Sequence, residues 1–129
     1  MDSSHMFGAG YQGRTLEELV GTLVDNGITL VCDVRTFPFS RHRPEMNRNH
    51  LASTLHSVGI AYEAAGRSLG GKGRNVGFND KLDEIADAAR RGEQICLLCL
   101  ERIETQCHRG QKLKPALAKR GIKLVELFA

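Results

Sequence analysis

The sequence predicts an α/β fold: a single-domain, mostly parallel five-stranded sheet with helices on both faces, in a Rossmann- or flavodoxin-like three-layer arrangement. Three observations carry this expectation. The hydrophobic period alternates between strand and helix along the 129 residues. The connections are short, which favours right-handed crossovers between parallel strands. The stretch from Ile28 to Val34 is nearly continuous in apolar residues, as strands covered on both faces are.

Each element has a local reason. Phe7-Gly8-Ala9-Gly10 reads as a short, glycine-rich first strand. Thr15 and Glu18 form a capping box, and Leu16, Leu19, Val20, Leu23 and Val24 then share one helical face. Asn26-Gly27 stops that helix. Ile28–Val34 is the second strand, followed by a polar loop with Pro38 and Pro44. Asn47 or Asn49 opens a second helix carrying Leu51, Leu55 and Val58, closed by Gly59. Ile60–Ala64 is the third strand. The segment Gly66–Gly77 reads as a glycine-rich loop. Asn79 is expected to cap a third helix with Leu82, Ile85, Ala86 and Ala89 inward and Gly92 at its end. Ile95–Leu100 is the fourth strand. A fourth helix is expected from about Gln106 to Arg120, capped by Thr105 and ended by Gly121, and Ile122–Phe128 completes the sheet. Pro115 either kinks that helix or marks a new first turn. Met1–His5 reads as a cloning scar, leaving residues 6–129 as the domain.

Composition narrows the class. The net charge of +3 is mild, but its distribution is uneven. Basic residues gather in Arg35–His50, in Gly66–Asn79 and in Gln106–Lys123, whereas acids cluster in Asp80–Glu93. A fold that brings the basic stretches together presents a positive cleft suited to phosphate; otherwise the charges are solvated on loops and helix faces. No apolar run is long enough to span a bilayer and no secretory leader is evident, which predicts a cytoplasmic protein with no membrane partner. In that compartment the four cysteines, Cys32, Cys96, Cys99 and Cys107, are expected as free thiols. Cys32 and Cys96 lie inside apolar runs and read as core.

The chemistry-bearing residues fall where strands of a parallel sheet end, the edge at which such folds bind ligands. Asp33 and Arg35 leave the second strand on one face, to form an ion pair or to let Arg35 grip an anion. Cys99 and Glu101 leave the fourth strand in the same way, and a carboxylate there suits acid–base work or pairs with Arg109 or Arg35. Cys107 in a first helical turn, beside His108 and Arg109, is expected to favour the thiolate and to serve as a nucleophile or ligand. His108 reads as a base, a ligand or a helix-end donor. Arg109 at a helix N-terminus is placed to hold phosphate, joined by Arg35, Arg41 and Arg43. Backbone N–H groups of Leu69-Gly70-Gly71-Lys72-Gly73-Arg74 can cradle phosphate, although the loop lacks the Gly-Lys-Ser/Thr ending of a Walker sequence. The spacing of Cys99, Glu101, Cys107 and His108 matches no zinc ribbon or finger, so no metal is expected. The sequence implies no particular cofactor.

In order, Gly10-Tyr11-Gln12-Gly13-Arg14-Thr15-Leu16-Glu17-Glu18, Val31-Cys32-Asp33-Val34-Arg35 with Pro38 and Ser40, Tyr62, Leu69-Gly70-Gly71, Leu98-Cys99-Leu100-Glu101 and Cys107-His108-Arg109 span nearly the whole chain. Together they resemble the bacterial and archaeal family called domain of unknown function 488. The resemblance implies a compact α/β domain whose recurrent polar residues map onto Asp33, Arg35, Cys99, Glu101, Cys107, His108 and Arg109. It implies no particular activity. Three functional readings follow from the residues. One is an enzyme with Cys107, Glu101, His108 and Asp33 as catalytic groups, acting on a phosphate-containing nucleotide or nucleic acid bound by Arg35, Arg41, Arg43, Arg109, Cys99, Gly70 and Gly71. The second is a non-catalytic module binding nucleic acid or a phosphorylated ligand. The third is a thiol-based metal or redox sensor.

Overall fold

A computed structural model describes residues 4–101 and 107–128. The elements are β1 (His5–Gly10), α1 (Leu16–Asp25), β2 (Leu30–Asp33), α2 (Arg48–Ser57), β3 (Ala61–Ala64), α3 (Gly66–Leu69), α4 (Phe78–Arg90), β4 (Ile95–Cys99), α5 (Lys114–Ala118) and β5 (Lys123–Glu126). A 3₁₀ turn, Pro44–Met46, precedes α2, and a π turn, Arg109–Leu113, leads directly into α5.

The five strands form one sheet in the order β3-β2-β4-β1-β5, and every pairing is parallel. This is the α/β architecture expected, with β4 inserted between β1 and β2. Gly10 pairs with Cys99, and Asp33 pairs with both Leu98 and Ala64. The ends of the three inner strands are therefore level, and the residues that follow them are neighbours.

Strand alternation sends side chains to two separate cores. On one face Ala9, Val31, Cys96 and Leu98 pack with Leu19 and Leu23 of α1 and Leu51 and Leu55 of α2. On the other, Met6, Cys32, Ile95, Leu97 and Leu124 pack with Leu82, Ile85 and Ala86 of α4 and Leu117 of α5. Cys96 and Cys99 fall on opposite faces, as their spacing along one strand requires.

Local signals explain most boundaries. Thr15 Oγ1 accepts from the Glu18 N–H and the Glu18 carboxylate accepts from the Thr15 N–H, closing the expected capping box. Gly27, Gly59, Gly92 and Gly121 all have positive φ at the stops where the sequence placed them. Four expectations are corrected. The first strand starts at His5, which pairs with Lys123, so the fold reaches one residue into the segment set aside as foreign. The stretch Gly66–Gly77 is not wholly loop, because its first four residues form α3. The cap of α4 is Gly77 in the left-handed conformation, not Asn79. Val58, expected on the second helix, lies one residue past the end of α2 and is exposed. Ahead of Pro115 the helix is π-wide; proline removes an N–H and its ring would clash with the carbonyl of Gln111, and the wider turn relieves both. Thr105 and Gln106, expected to cap and open that helix, lie outside the described residues.

Candidate functional site

The ends of β1, β2 and β4 and the turn before α5 surround a cleft of about 440 Å³. Tyr11, Arg35, Cys99, Glu101, Cys107 and His108 line it. Its outer wall comes from the loop after β2, with Phe37, Phe39 and Arg43, and from Gly71 and Lys72 of the glycine-rich segment. The convergence expected from sequence is therefore present: residues from five separated stretches meet on one edge of the sheet.

The thiol pair forms the floor. Cys99 Sγ lies 2.8 Å from Cys107 Sγ, and each residue is only 2% exposed. Cys107 Sγ also accepts from the Arg109 backbone N–H at 3.4 Å and lies 3.5 Å from His108 Nδ1. The hydrogen bond from the Cys99 S–H holds Cys107 well below the ordinary thiol range, and His108 and the Arg109 N–H add to that against the opposing effect of burial. The same hydrogen bond, with burial, pushes Cys99 up. The two thiols are therefore pushed in opposite directions, Cys107 toward the thiolate and Cys99 toward the thiol. Cys32 and Cys96 are raised by burial, Cys32 to about 12, and are inert core residues.

Arg109 supports this floor from below. It is fully buried, and its donors are committed inside the protein. Nε and Nη2 grip the Glu126 carboxylate at 2.8 and 2.6 Å, while Nη1 reaches Cys99 Sγ at 2.5 Å and the Glu101 carbonyl at 3.1 Å. Burial would lower its pKa, but Glu126 holds the guanidinium charged. Gly8 makes room for it: a Cβ there would lie 2.9 Å from Arg109 Cδ and closer still to Glu126. Arg109 is thus not free to grip a ligand as expected; it braces Cys99. Its carboxylate partner is Glu126, not Glu101.

Arg35 is spent in the same way. It pairs bidentately with Asp33, at 2.9 and 2.7 Å, and its Nη1 donates to the Tyr11 hydroxyl and the Met46 carbonyl. Tyr62 donates at 2.5 Å to Asp33 Oδ2, the oxygen that also accepts from Arg35 Nη2. Burial and then Asp33 push the Tyr62 phenol up. Of the two alternatives read from sequence, the ion pair is the arrangement present. Asp33 is buried beneath the cleft rather than lining it.

Two glycines serve the rim. A Cβ on Gly70 would meet Thr36, and one on Gly71 would lie 2.8 Å from His108 Nδ1. The segment Leu69-Gly70-Gly71 therefore packs closely against the site, Gly71 on the His108 ring. Gly70 itself does not line the cleft, and neither does Arg41. Among the described residues, the cations that do, besides Arg35, are Arg43 and Lys72. His108 Nε2 is shielded from solvent and has no hydrogen-bond partner among the described residues.

A metal fits this floor poorly. Ligand atoms of Cys99, Glu101 and Cys107 lie within 4.8 Å of one another. Two thiolates bound tetrahedrally to zinc at about 2.3 Å stand roughly 3.8 Å apart, wider than the sulfur pair here. The Arg109 guanidinium against Cys99 adds a competing positive charge.

Sequence reasoning did not single out Glu126 or Thr36, and it gave Tyr11 no role. Glu126 could have been noticed as an acid at the carboxyl end of the last strand, on the edge that carries the site. Among the described residues, no helix is long and apolar enough to cross a membrane.

A family model with the description "Domain of unknown function DUF488" matches residues 15–77. That span holds Asp33, Arg35, Arg43, Tyr62, Gly71 and Lys72, while both site cysteines lie beyond it. No curated protein and no solved structure gave a match.

Proposed function

Because the chain belongs to the domain of unknown function DUF488 family, whose description carries no activity, the function must be argued from the site, and we propose that the cleft is the active site of a thiol-dependent enzyme acting on a phosphate-containing nucleotide or nucleic-acid substrate. The observation that carries this reading is the Cys99–Cys107 contact of 2.8 Å at the floor of a cleft edged by Arg43 and Lys72. In it, Cys107 attacks an electrophilic atom of the substrate as a thiolate. His108, whose Nε2 has no hydrogen-bond partner among the described residues, and Glu101 move protons to and from the reacting groups. Arg43 and the Lys72 ammonium, which has no side-chain partner among the described residues, hold the phosphate. Asp33, Arg35 and Arg109 act as positioning residues.

The test is a turnover screen of nucleotides and short nucleic acids with the reduced protein. Cys107→Ser should abolish turnover of any substrate found, by at least ~10²-fold, while leaving its binding intact. Arg43→Ala combined with Lys72→Ala should instead weaken binding and flatten its dependence on salt. A Cys107→Ser protein that turns over normally would exclude the nucleophile and leave the cleft a binding site.

A further inference from the structure

We propose that Cys99 and Cys107 are a two-electron redox couple, in which a hydroperoxide oxidises Cys107 and Cys99 resolves the product as an intramolecular disulfide. This shares with the enzymatic reading only the activated Cys107 and needs no phosphate substrate.

The two sulfurs already touch, and closing the bond needs an approach of about 0.8 Å, since a disulfide spans ~2.0 Å. Their surroundings differ in the way the two steps require. Cys107 lies under the cleft with His108 and the Arg109 N–H against it. Cys99 sits at the end of β4 with the Arg109 guanidinium against its sulfur. Arg109 in turn is anchored on Glu126, so this positive group cannot swing away. Both residues are nearly enclosed, which selects a small oxidant over a bulky disulfide.

The chemistry balances. The Cys107 thiolate attacks the outer oxygen of the hydroperoxide; a sulfur–oxygen bond forms, the oxygen–oxygen bond breaks, and the departing alkoxide takes a proton through His108. Cys107 is then a sulfenic acid. Cys99 gives up its proton, its thiolate forming beside Arg109, and attacks Cys107 Sγ. The sulfur–sulfur bond forms and hydroxide leaves with that proton as water. Two thiols have been oxidised and one hydroperoxide reduced to alcohol and water. A small external dithiol that can enter the cleft returns the couple to its starting state by thiol–disulfide exchange.

Cys32 and Cys96 are internal controls, since both are buried in the core and held as thiols. The experiment treats the reduced full chain with hydrogen peroxide, quenches with N-ethylmaleimide, and reads intact mass and peptide maps over time. The expected result is a loss of the mass of two hydrogens, assigned to a Cys99–Cys107 bridge and reversed by dithiothreitol. Cys107 should react at least ~10-fold faster than Cys32 or Cys96. In Cys99→Ser the sulfenic acid on Cys107 should persist long enough for dimedone to trap it. A wild-type protein that climbs to sulfinic acid on Cys107 while Cys99 stays open to maleimide overturns the redox couple and leaves the nucleophile standing. Equal reactivity of Cys107, Cys32 and Cys96 overturns both readings. The wild-type measurement decides the matter even if the serine variant folds poorly.

Discussion

Arg109 carries a full positive charge into a site with no exposure, and this is tolerable only because four acceptors surround it. Arg109→Met should therefore cost about 3–5 kcal/mol in urea denaturation, because the Glu126 carboxylate is left without its partner. Arg109→Lys should not restore the wild-type value, since an ammonium cannot grip Glu126 bidentately and still reach Cys99. The thiols make a second prediction at this scale. A lowered pKa keeps a thiol ionised, so iodoacetamide should alkylate Cys107 at pH values where an ordinary cysteine is protonated. Reactivity should fail only as pH drops through that lowered value, and mass spectrometry across a pH series checks this. Cys99 and Asp33–Arg35 were legible because polar groups that end apolar strands have few positions to occupy, and Cys107 because a thiol directly followed by His108 and Arg109 has neighbours that favour its thiolate. The commitment of Arg109 was not legible, because an acid in a short final strand reads the same whether it faces solvent or a buried guanidinium.

Glycine placement decides how the elements close on the site. Gly71 lies flat against the His108 ring, at distances that exclude a methyl group. Gly71→Ala should push the ring away from Cys107 and slow its alkylation several-fold, at a stability cost of ~1–3 kcal/mol, less than that of Arg109→Met. Alkylation rates beside a melting curve separate the two effects. The capping box of α1 was readable because it is a reciprocal contact between two residues three apart. The start of α4 was not, because Gly77 took a left-handed conformation and a strong capping residue, Asn79, fell inside the helix. The four-residue α3 was hidden by the glycine that begins it. That glycine is set by tertiary contact: a Cβ on Gly66 would run into the Arg35 backbone. The π turn before α5 follows from Pro115, whose effect on the helix was foreseeable although its form was not.

Across the whole molecule, alternation of strand and helix was enough to predict a parallel three-layer sheet, but not its order. Apolar runs say that a strand is buried, not which strands flank it. In the order β3-β2-β4-β1-β5, the two strands made first never touch each other. Both core faces draw on β4, through Cys96 and Leu98 on one side and Ile95, Leu97 and Cys99 on the other. Maleimide labelling through a urea titration should therefore expose Cys32 and Cys96 at one midpoint, as a single cooperative unit. The interleaved order also bears on birth at the ribosome. A nascent polypeptide that has emerged only as far as α4 contains β1, β2 and β3 but lacks the strand that lies between β1 and β2. The keystone strand arrives late and brings Cys99 with it, Cys107 following eight residues behind, so the reactive pair emerges only after most of the core on which it rests.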